Sequence, residues 1–383
     1  MADKEFNKHR LGFSLNYMNR PASENYPIYT THDNKVRKHL TQNIYEKLYK
    51  KITSNGVTVD KCIQPSVDYT GKIVGLVAGD EESYTTFAEI FDPVIDDHHL
   101  GFSKSDKHPA PELDADKLVG GKLDEKYVRS CRIRTGRSVR GLCLPPAISR
   151  AERREVERIL VDALAGLKGA LAGKYYPLMK MTPKEEKQLI EDHFLFQKPT
   201  GHLMTNSNAV RDWPDARGIW HNNEKSFLIW VNEEDHCRVI SMQQGGDMKA
   251  TFERFSGGLK EIEKLMKAKN SEFMWSERLG FLCTCPTNIG TGLRCSAHIQ
   301  LKKLSKHPKF EAIVVGLKLQ KRGTAGEHTA AVDDIYDISN AARLKSSECQ
   351  FVQLVIDGLK KLIEMEQRLE AGKKIDDLLP SGV

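Results

Sequence analysis

The stretch FLIWVNEEDHCRVISM, residues 227–242, encloses a group of charges between two apolar runs. Both runs are short and rich in Val, Ile and aromatic residues, which predicts two buried strands. The polar residues between or beside them are Glu233, Glu234, Asp235, His236 and Arg238. A solvated acidic turn is the ordinary interpretation, but a turn does not need these side chains. Because charges at the ends of buried strands are costly unless they find a partner or a ligand, the stretch predicts a functional site.

Composition and charge are those of a globular protein. Of 383 residues, 39% are hydrophobic and 29% are charged, which is typical of a folded globular protein. The length favours two or three domains. The net charge of +6 is spread along the chain and favours local anion sites over a basic tail. Eight cysteines are too sparse for a disulfide scaffold and indicate reduced thiols in the cytoplasm. The charged first ten residues contain no signal-peptide core, and no apolar run could span a bilayer, so we expect no membrane partner.

Helical periodicity characterises the first hundred residues. Ile44, Leu48 and Ile52 recur at four-residue spacing after the capping residue Thr41, which predicts an amphipathic helix. Residues 62–83 contain one proline and three glycines, and we interpret them as an exposed loop that approaches a ligand with its backbone. Residues 83–99 predict another helix.

Strands and helices are mixed in the remainder of the chain. Ser149 with Glu152, and Thr182 with Glu185, form capping boxes that start two helices. Further patterns predict helices at 248–268 and 346–371 and strands at 226–232, 237–243 and 312–322. We therefore predict an α+β fold with three parts. These are a small all-α N-terminal domain at 1–102, a linker at 103–126, and at 127–383 a larger domain with a mostly antiparallel sheet flanked by helices.

Arginines lie at or near the ends of several predicted strands, namely Arg132, Arg134, Arg238, Arg294 and Arg322. The guanidinium fork suits phosphate, and neighbouring glycine-rich turns let backbone amides approach the same anion. The chain has no GxxxxGK[ST] loop and no GxGxxG after a strand, which excludes Walker and Rossmann nucleotide binding. Cys283 and Cys285 have no second pair at zinc-ligand spacing, so we predict no metal held by the protein.

Phosphoryl transfer needs positioning and charge neutralisation rather than covalent help. Glu234 and Glu327 are carboxylates suited to hold and deprotonate a cationic nitrogen nucleophile. Cys285 precedes Thr287, whose hydroxyl could donate to a thiolate, and we expect an electropositive environment around this sulfur.

Five motifs resemble the phosphagen kinases, the ATP:guanidino phosphotransferases that include creatine and arginine kinases. They are NEEDHCRVISM, CPTNIGTGLR, LQKRGTAGEHTAAVDDIYDISN, RTGRSVRG and DHFLFQKP. The resemblance runs from about Val36 to the C-terminus and implies reversible transfer of the ATP γ-phosphoryl group to a guanidino compound for energy buffering. It implies that the nucleotide arrives as MgATP or MgADP, with Mg²⁺ held through the phosphates.

The resemblance also assigns roles to residues. It implies nucleotide binding by Ser130, Arg132, Arg134, His193, Arg238, Arg294, Arg322, Gly323, Thr324, Gly326 and Asp337. It implies catalytic roles for Glu234, Glu327 and Cys285. The same three residues are expected to contact the guanidino substrate, together with Ser66, Val67, Tyr69 and His98, although Pro65 departs from the residue usual in the family.

The choice of guanidino substrate rests on resemblance at three positions. The segment between Asp68 and Val77 is shorter than in creatine kinases, and Glu327 resembles the glutamate of arginine kinases. His98 is similar to the histidine of taurocyamine kinases, where a partly cationic imidazole could attract a sulfonate. We therefore expect taurocyamine as substrate, then lombricine, then arginine, within the annelid branch of the creatine kinase lineage.

Two further expectations concern partners. The segment around Trp213 resembles the dimeric creatine kinase branch, which implies a homodimer. A non-catalytic nucleotide or nucleic-acid binding module is the alternative from another class. The acidic residues between the arginines would repel a long polyanion, so we expect no nucleic-acid partner.

Overall fold

The computed structural model describes residues 21–99, 101–192, 194–324 and 331–383. Three residues of the expected site, His193, Gly326 and Glu327, lie outside the described residues.

An all-helical N-terminal domain comes first. Its helices are α1 (Ala22–Asn25), α2 (Lys35–His39), α3 (Gln42–Leu48), α4 (Val59–Asp68), α5 (Ser83–Thr86) and α6 (Ala88–His98). The side chains of Asn34, Thr41 and Thr58 accept backbone N–H groups at the starts of α2, α3 and α4, as N-cap residues do.

The predicted loop at residues 62–83 is wrong in its first part, because α4 runs through Asp68 with Pro65 inside it. Val59, Cys62, Ile63 and Ser66 are buried at helical spacing, and this apolar face outweighs the missing N–H of the proline. The segment around Ser66 that is expected to contact the substrate is therefore the C-terminal end of a helix.

The larger domain contains an eight-stranded sheet in the order β2-β3-β4-β5-β1-β8-β10-β9, with every neighbouring pair antiparallel. The strands are β1 (Val128–Arg137), β2 (Gly173–Pro177), β3 (Gly218–Asn222), β4 (Phe227–Val231), β5 (Cys237–Gln244), β8 (Arg294–Gln300), β9 (Leu319–Arg322) and β10 (Ile335–Asn340). A separate two-stranded ribbon pairs β6 (Trp275–Ser276) with β7 (Gly280–Phe281). The predicted α+β class with an antiparallel sheet is confirmed.

Helices flank this sheet. They are α7 (Arg150–Leu164), α8 (Pro183–Glu191), α9 (His202–Asn206), α10 (Met248–Lys267), α11 (Phe310–Gly316) and α12 (Glu348–Glu370). Single 3-10 turns occur at Ala115–Lys117, Gly169–Leu171, Leu178–Lys180, Pro286–Asn288, Leu304–Lys306 and Asp376–Leu378. Both predicted capping boxes are present at the starts of α7 and α8.

The predicted strand at residues 312–322 is wrong in its first half. Phe310, Ile313 and Val314 form the buried face of α11, and only Leu319–Arg322 is a strand. A short apolar run has no periodicity that separates a buried strand from a buried helix. Lys318 at φ 59° makes the turn between the two elements.

Residues 103–126 contain one 3-10 turn and lie along the start of α12. The N–H of Glu112 donates to Glu348 Oε2 over 3.0 Å, and the N–H of Val119 donates to Gln353 Oε1 over 2.8 Å. The segment predicted as a linker is therefore fastened to the larger domain by hydrogen bonds.

Candidate active site

One face of the sheet carries the arginines. Residues that pair directly across antiparallel strands share a face, and the register pairs Arg134 with Arg294, Gly136 with Arg238, and Arg132 with Ser296. The same face continues through the pairs Ser130 with His298, His298 with Asp337, and Asp337 with Arg322. The structure thus brings together seven of the residues expected to bind nucleotide: Ser130, Arg132, Arg134, Arg238, Arg294, Arg322 and Asp337.

The arginines on this face of the sheet repel one another, and this repulsion favours the binding of an anion. Burial and the charges of Arg238, Arg132, Arg294 and Arg343 hold the pKa of Arg134 well below its usual value. Burial and Arg294 lower the pKa of Arg132 to about 10. Arg294 is balanced by Asp337, whose Oδ2 accepts from it over 2.8 Å. A bound polyphosphate would relieve the remaining repulsion.

An apolar patch borders the arginines on the same face. It consists of buried Leu178, Leu189, Leu195, Phe196, Ile219, Leu228, Trp230 and Ile240. The guanidinium carbons of Arg132 and Arg238 lie 5.6 and 5.9 Å from the centre of the Trp230 ring, within cation–π range. This side of the site offers an apolar surface next to the anion-binding arginines.

Glu234 occupies the point where the arginine face meets the loop between β4 and β5. Its Oε2 accepts from Arg238 over 2.9 Å and its Oε1 accepts from Asn288 over 2.8 Å. Arg238 also pairs with Glu233 over 2.9 Å. Burial acts to raise the pKa of Glu234, but Arg238, Arg134 and Arg343 outweigh it and hold that pKa below its usual value. Glu234 is therefore an ionised carboxylate at neutral pH.

The turn that holds Cys285 is tied to the same loop. The Thr284 hydroxyl donates to the Glu234 carbonyl, and the Thr284 N–H donates to Asp235 Oδ1, both over 2.7 Å. Burial and the neighbouring Glu234 raise the pKa of Asp235 to about 7. These bonds fix the distance between the carboxylate of Glu234 and the cysteine turn.

The expected electropositive environment of Cys285 is wrong. The Thr287 hydroxyl does donate to the sulfur over 3.1 Å, as the sequence suggested. Burial and the charge of Glu234 nevertheless raise the pKa of the Cys285 thiol to about 12. In the absence of ligands the sulfur is therefore a protonated thiol.

Replacing Glu234 with glutamine is expected to speed the alkylation of Cys285 by about three- to tenfold at pH 8. The substitution removes the charge that raises the thiol pKa, so the thiolate fraction increases. Peptide mapping by mass spectrometry after timed iodoacetamide treatment measures each cysteine separately. Buried Cys131, whose pKa is raised by burial and by Asp247 and Glu125, serves as the internal control, and an equal increase at Cys131 and Cys285 would contradict the explanation.

Three residues of the N-terminal domain that are expected to contact the guanidino substrate lie at the end of α4. Asn34 Nδ2 donates to the Ser66 carbonyl over 3.0 Å, and His32 Nε2 lies 3.0 Å from the Val67 carbonyl. The Tyr69 ring stacks on His202 of α9, with ring centres 3.7 Å apart. The structure thus places Ser66, Val67 and Tyr69 together at the end of α4, with Tyr69 in contact with the larger domain.

His98 ends α6 and differs from the expectation of a partly cationic imidazole. Burial, His99 and Lys35 lower the pKa of His98 to about 3, so its ring is neutral at physiological pH. Its neighbour His99 joins α6 to the cysteine turn, with Nε2 2.9 Å from the Pro286 carbonyl. The electrostatic argument for a sulfonate at His98 is therefore wrong.

Arg343 is a site residue that the sequence argument missed. It donates to the Thr287 carbonyl over 2.9 Å and to Asn288 Oδ1, the same amide that binds Glu234. Burial and the charges of Arg294 and Arg322 lower the pKa of Arg343 to about 10. It follows β10 without an adjacent glycine-rich turn, so no local signal marked it.

Of the other expected residues, Gly323 and Thr324 close the end of β9. The Thr324 hydroxyl donates to the Ile335 carbonyl and accepts the Val332 N–H, each over 2.9 Å. Within the described ranges, no three His, Cys, Asp or Glu side chains are grouped to hold a metal ion. None of the helices in the described part of the chain has the length and apolar character needed to cross a membrane.

Two family models match the chain. Residues 30–96 match the ATP:guanido phosphotransferase N-terminal domain, and residues 155–369 match the ATP:guanido phosphotransferase C-terminal catalytic domain. The protein belongs to the ATP:guanidino phosphotransferase family. As a phosphagen kinase it catalyses ATP-dependent phosphoryl transfer to a guanidino compound.

Individual phosphagen kinases show graded similarity. The chain is 69% identical over 364 residues to lombricine kinase of Eisenia fetida (94% of this chain, 98% of that protein) and 58% identical over 364 residues to glycocyamine kinase of Hediste diversicolor (94% and 92%). A crystal structure of lombricine kinase matches with TM-score 0.93 and 67% identity, covering 95% of this chain and all of that one. The substrate-free duplicated taurocyamine kinase of Schistosoma mansoni matches with TM-score 0.83 and 36% identity, covering 89% and 48%.

Proposed function

We propose that this phosphagen kinase transfers the γ-phosphoryl group of MgATP reversibly to lombricine. The observation that carries the proposal is the 69% identity to a lombricine kinase over 94% of the chain. The neutral state of His98 removes the electrostatic argument for taurocyamine, because the imidazole supplies no charge to favour its sulfonate. Lombricine therefore replaces taurocyamine as the preferred substrate in our account.

The arginine face is proposed to bind the phosphates of ATP. Arg132, Arg134, Arg238, Arg294 and Arg322 neutralise the charge that spreads over the transferring group, which is the main requirement of phosphoryl transfer. Mg²⁺ is proposed to arrive with the nucleotide, as the resemblance to phosphagen kinases implies, and when bound it would neutralise phosphate charge. The apolar patch beside Trp230 gives the base of the nucleotide a surface.

Glu234 is proposed to hold the guanidinium group and to accept its proton. The attacking nitrogen forms a bond to the γ-phosphorus as the bond from that phosphorus to the β,γ-bridging oxygen breaks and ADP leaves. The proton from the nitrogen passes to Glu234, which is ionised and fixed by Arg238 and Asn288. Cys285 and Glu327 are proposed as further contacts of the guanidinium, and His193, Gly323, Thr324 and Gly326 as further contacts of the nucleotide.

A coupled ATP-consumption assay with a panel of guanidino compounds tests the substrate. Lombricine is expected to give a kcat/KM at least about tenfold above those of taurocyamine, glycocyamine, arginine and creatine, because a binding pocket that matches one charged group discriminates by about that factor or more. A higher kcat/KM for any other member of the panel would overturn the choice of lombricine.

We also propose a homodimer in the cytoplasm. All eight cysteines are unpaired, which supports a reducing compartment. Next to Trp213, Asp212 pairs with exposed Arg150 over 3.1 Å and with buried Arg153 over 3.0 Å. These pairs hold the segment that resembles dimeric creatine kinases in one conformation.

A further inference from the structure

Two contacts, one with the end of α4 and one with the end of α6, fix the position of Lys35 at the start of α2. Asn34, whose amide binds the Ser66 carbonyl, precedes Lys35 at the start of α2. The Lys35 ammonium reaches across to the end of α6, where it lies 2.8 Å from Asp97 Oδ1. Lys35 thus lies between the end of α4 and the two histidines that follow Asp97.

The charge of Lys35 is only partly neutralised. Asp97 also pairs with Lys38 over 2.7 Å, and His39 Nε2 lies 2.7 Å from the same carboxylate. One carboxylate is therefore shared by two ammonium groups and an imidazole, so it does not neutralise Lys35 and Lys38 together. The side chain of Lys35 is 29% exposed and that of Lys38 is 64% exposed, so Lys38 is directed more towards solvent.

Two contacts connect this positive region with the reacting groups. His99 bonds the Pro286 carbonyl in the cysteine turn, and the charges of both Lys35 and Arg343 act on His98. Arg343 in turn binds Asn288, the partner of Glu234. A chain of contacts thus leads from the Lys35–Asp97 pair, through the cysteine turn, to the carboxylate of Glu234.

We propose that Lys35 binds the anionic end of the guanidino substrate, which in lombricine is the phosphodiester. The proposal rests on the proposed function and extends it to a residue that recognises the part of the substrate remote from the reaction. A guanidinium bound at Glu234 and an anion bound at Lys35 would each face a side chain of opposite charge. The lysine ammonium is a compact point charge, which suits the single negative charge of a phosphodiester.

Replacing Lys35 with glutamine is expected to raise KM for lombricine by about 10–100-fold, the usual effect of losing a hydrogen bond to a charged group. kcat and KM for MgATP are expected to stay within about threefold, because remote binding is shared by ground and transition states. Lys38→Gln is the matched control, since it removes another cation from the same Asp97. Ethylguanidine, which has no anionic end, is measured as a competitive inhibitor of each variant.

The inference is supported if Lys35→Gln raises KM for lombricine while ethylguanidine inhibits the variant and the parent protein with equal inhibition constants. It is overturned if Lys38→Gln raises KM for lombricine by the same factor as Lys35→Gln. It is also overturned if Lys35→Gln weakens the binding of ethylguanidine as much as that of lombricine. In either case α2 would have a purely structural role. Should the parent protein prefer glycocyamine, the choice of lombricine fails separately. The carboxylate of glycocyamine then provides the anionic end for the same comparison of Lys35→Gln with Lys38→Gln.

Discussion

Replacing Glu234 with glutamine is expected to lower kcat by about 10²–10⁴-fold. The substitution keeps the shape of the side chain and removes the proton acceptor and the negative charge that faces the guanidinium. The affinity for MgADP is expected to change by less than about threefold, because the arginine face keeps all of its guanidinium groups. Steady-state kinetics with lombricine and calorimetric titration with MgADP measure the two effects.

Glu233→Gln is the control for Glu234→Gln. Glu233 shares Arg238 with Glu234 at the same distance of 2.9 Å, whereas the bond to Asn288 is made by Glu234. Glu233 Oε2 also accepts the Glu234 N–H over 2.8 Å. We expect Glu233→Gln to reduce kcat by less than about tenfold, because a glutamine oxygen can still accept this bond and the proton acceptor Glu234 is kept. If both variants lost kcat equally, the orientation of Arg238 rather than proton transfer at Glu234 would explain the effect.

Replacing Arg134 with methionine is expected to reduce kcat/KM for MgATP by about 10³-fold or more, the scale on which a single arginine stabilises a phosphoryl-transfer transition state. The same change is expected to raise the melting temperature of the ligand-free protein by about 1–4 °C. The strongest charges acting on Arg134 are those of four other arginines, and methionine removes that repulsion while keeping much of the volume. Scanning calorimetry without nucleotide measures the stability.

Arg129→Met provides the comparison on the same strand. Arg129 is exposed and donates to Gln300 Oε1 over 2.6 Å, away from the arginine face. We expect the kcat/KM of Arg129→Met to lie within about twofold of that of the parent protein, with no gain in melting temperature, because exposed polar contacts contribute little to stability. An Arg134→Met protein that lost activity and also melted earlier would indicate a structural role for Arg134 instead of a site prepared for an anion.

The sequence predicts part of the arginine face, because the alternation of side chains along a strand is a local property. Once Arg132 and Arg134 share a face, antiparallel pairing with β5 and β8 places Arg238 and Arg294 beside them. Arg343 could not be found this way, because it reaches Asn288 only after the chain has folded back from β10.

Predictions that depended on burial were wrong for a common reason. The electropositive environment expected for Cys285 and the partly cationic imidazole expected for His98 took no account of burial. Their pKa values are set first by burial and then by nearby charges, Glu234 for the cysteine and His99, Lys35 and Arg343 for the histidine. Desolvation is a property of the packed fold, so the sequence pattern carries no measure of it.

The most direct measurement is a competition followed by phosphorus NMR. Lombricine, taurocyamine, glycocyamine, arginine and creatine are mixed at equal concentration with MgATP and the enzyme, and the initial rates of the separate phosphorus–nitrogen products give the ratios of kcat/KM. Our account predicts that phospholombricine forms first and that added MgADP reverses its formation. Faster formation of any other N-phosphorylated product would contradict the account.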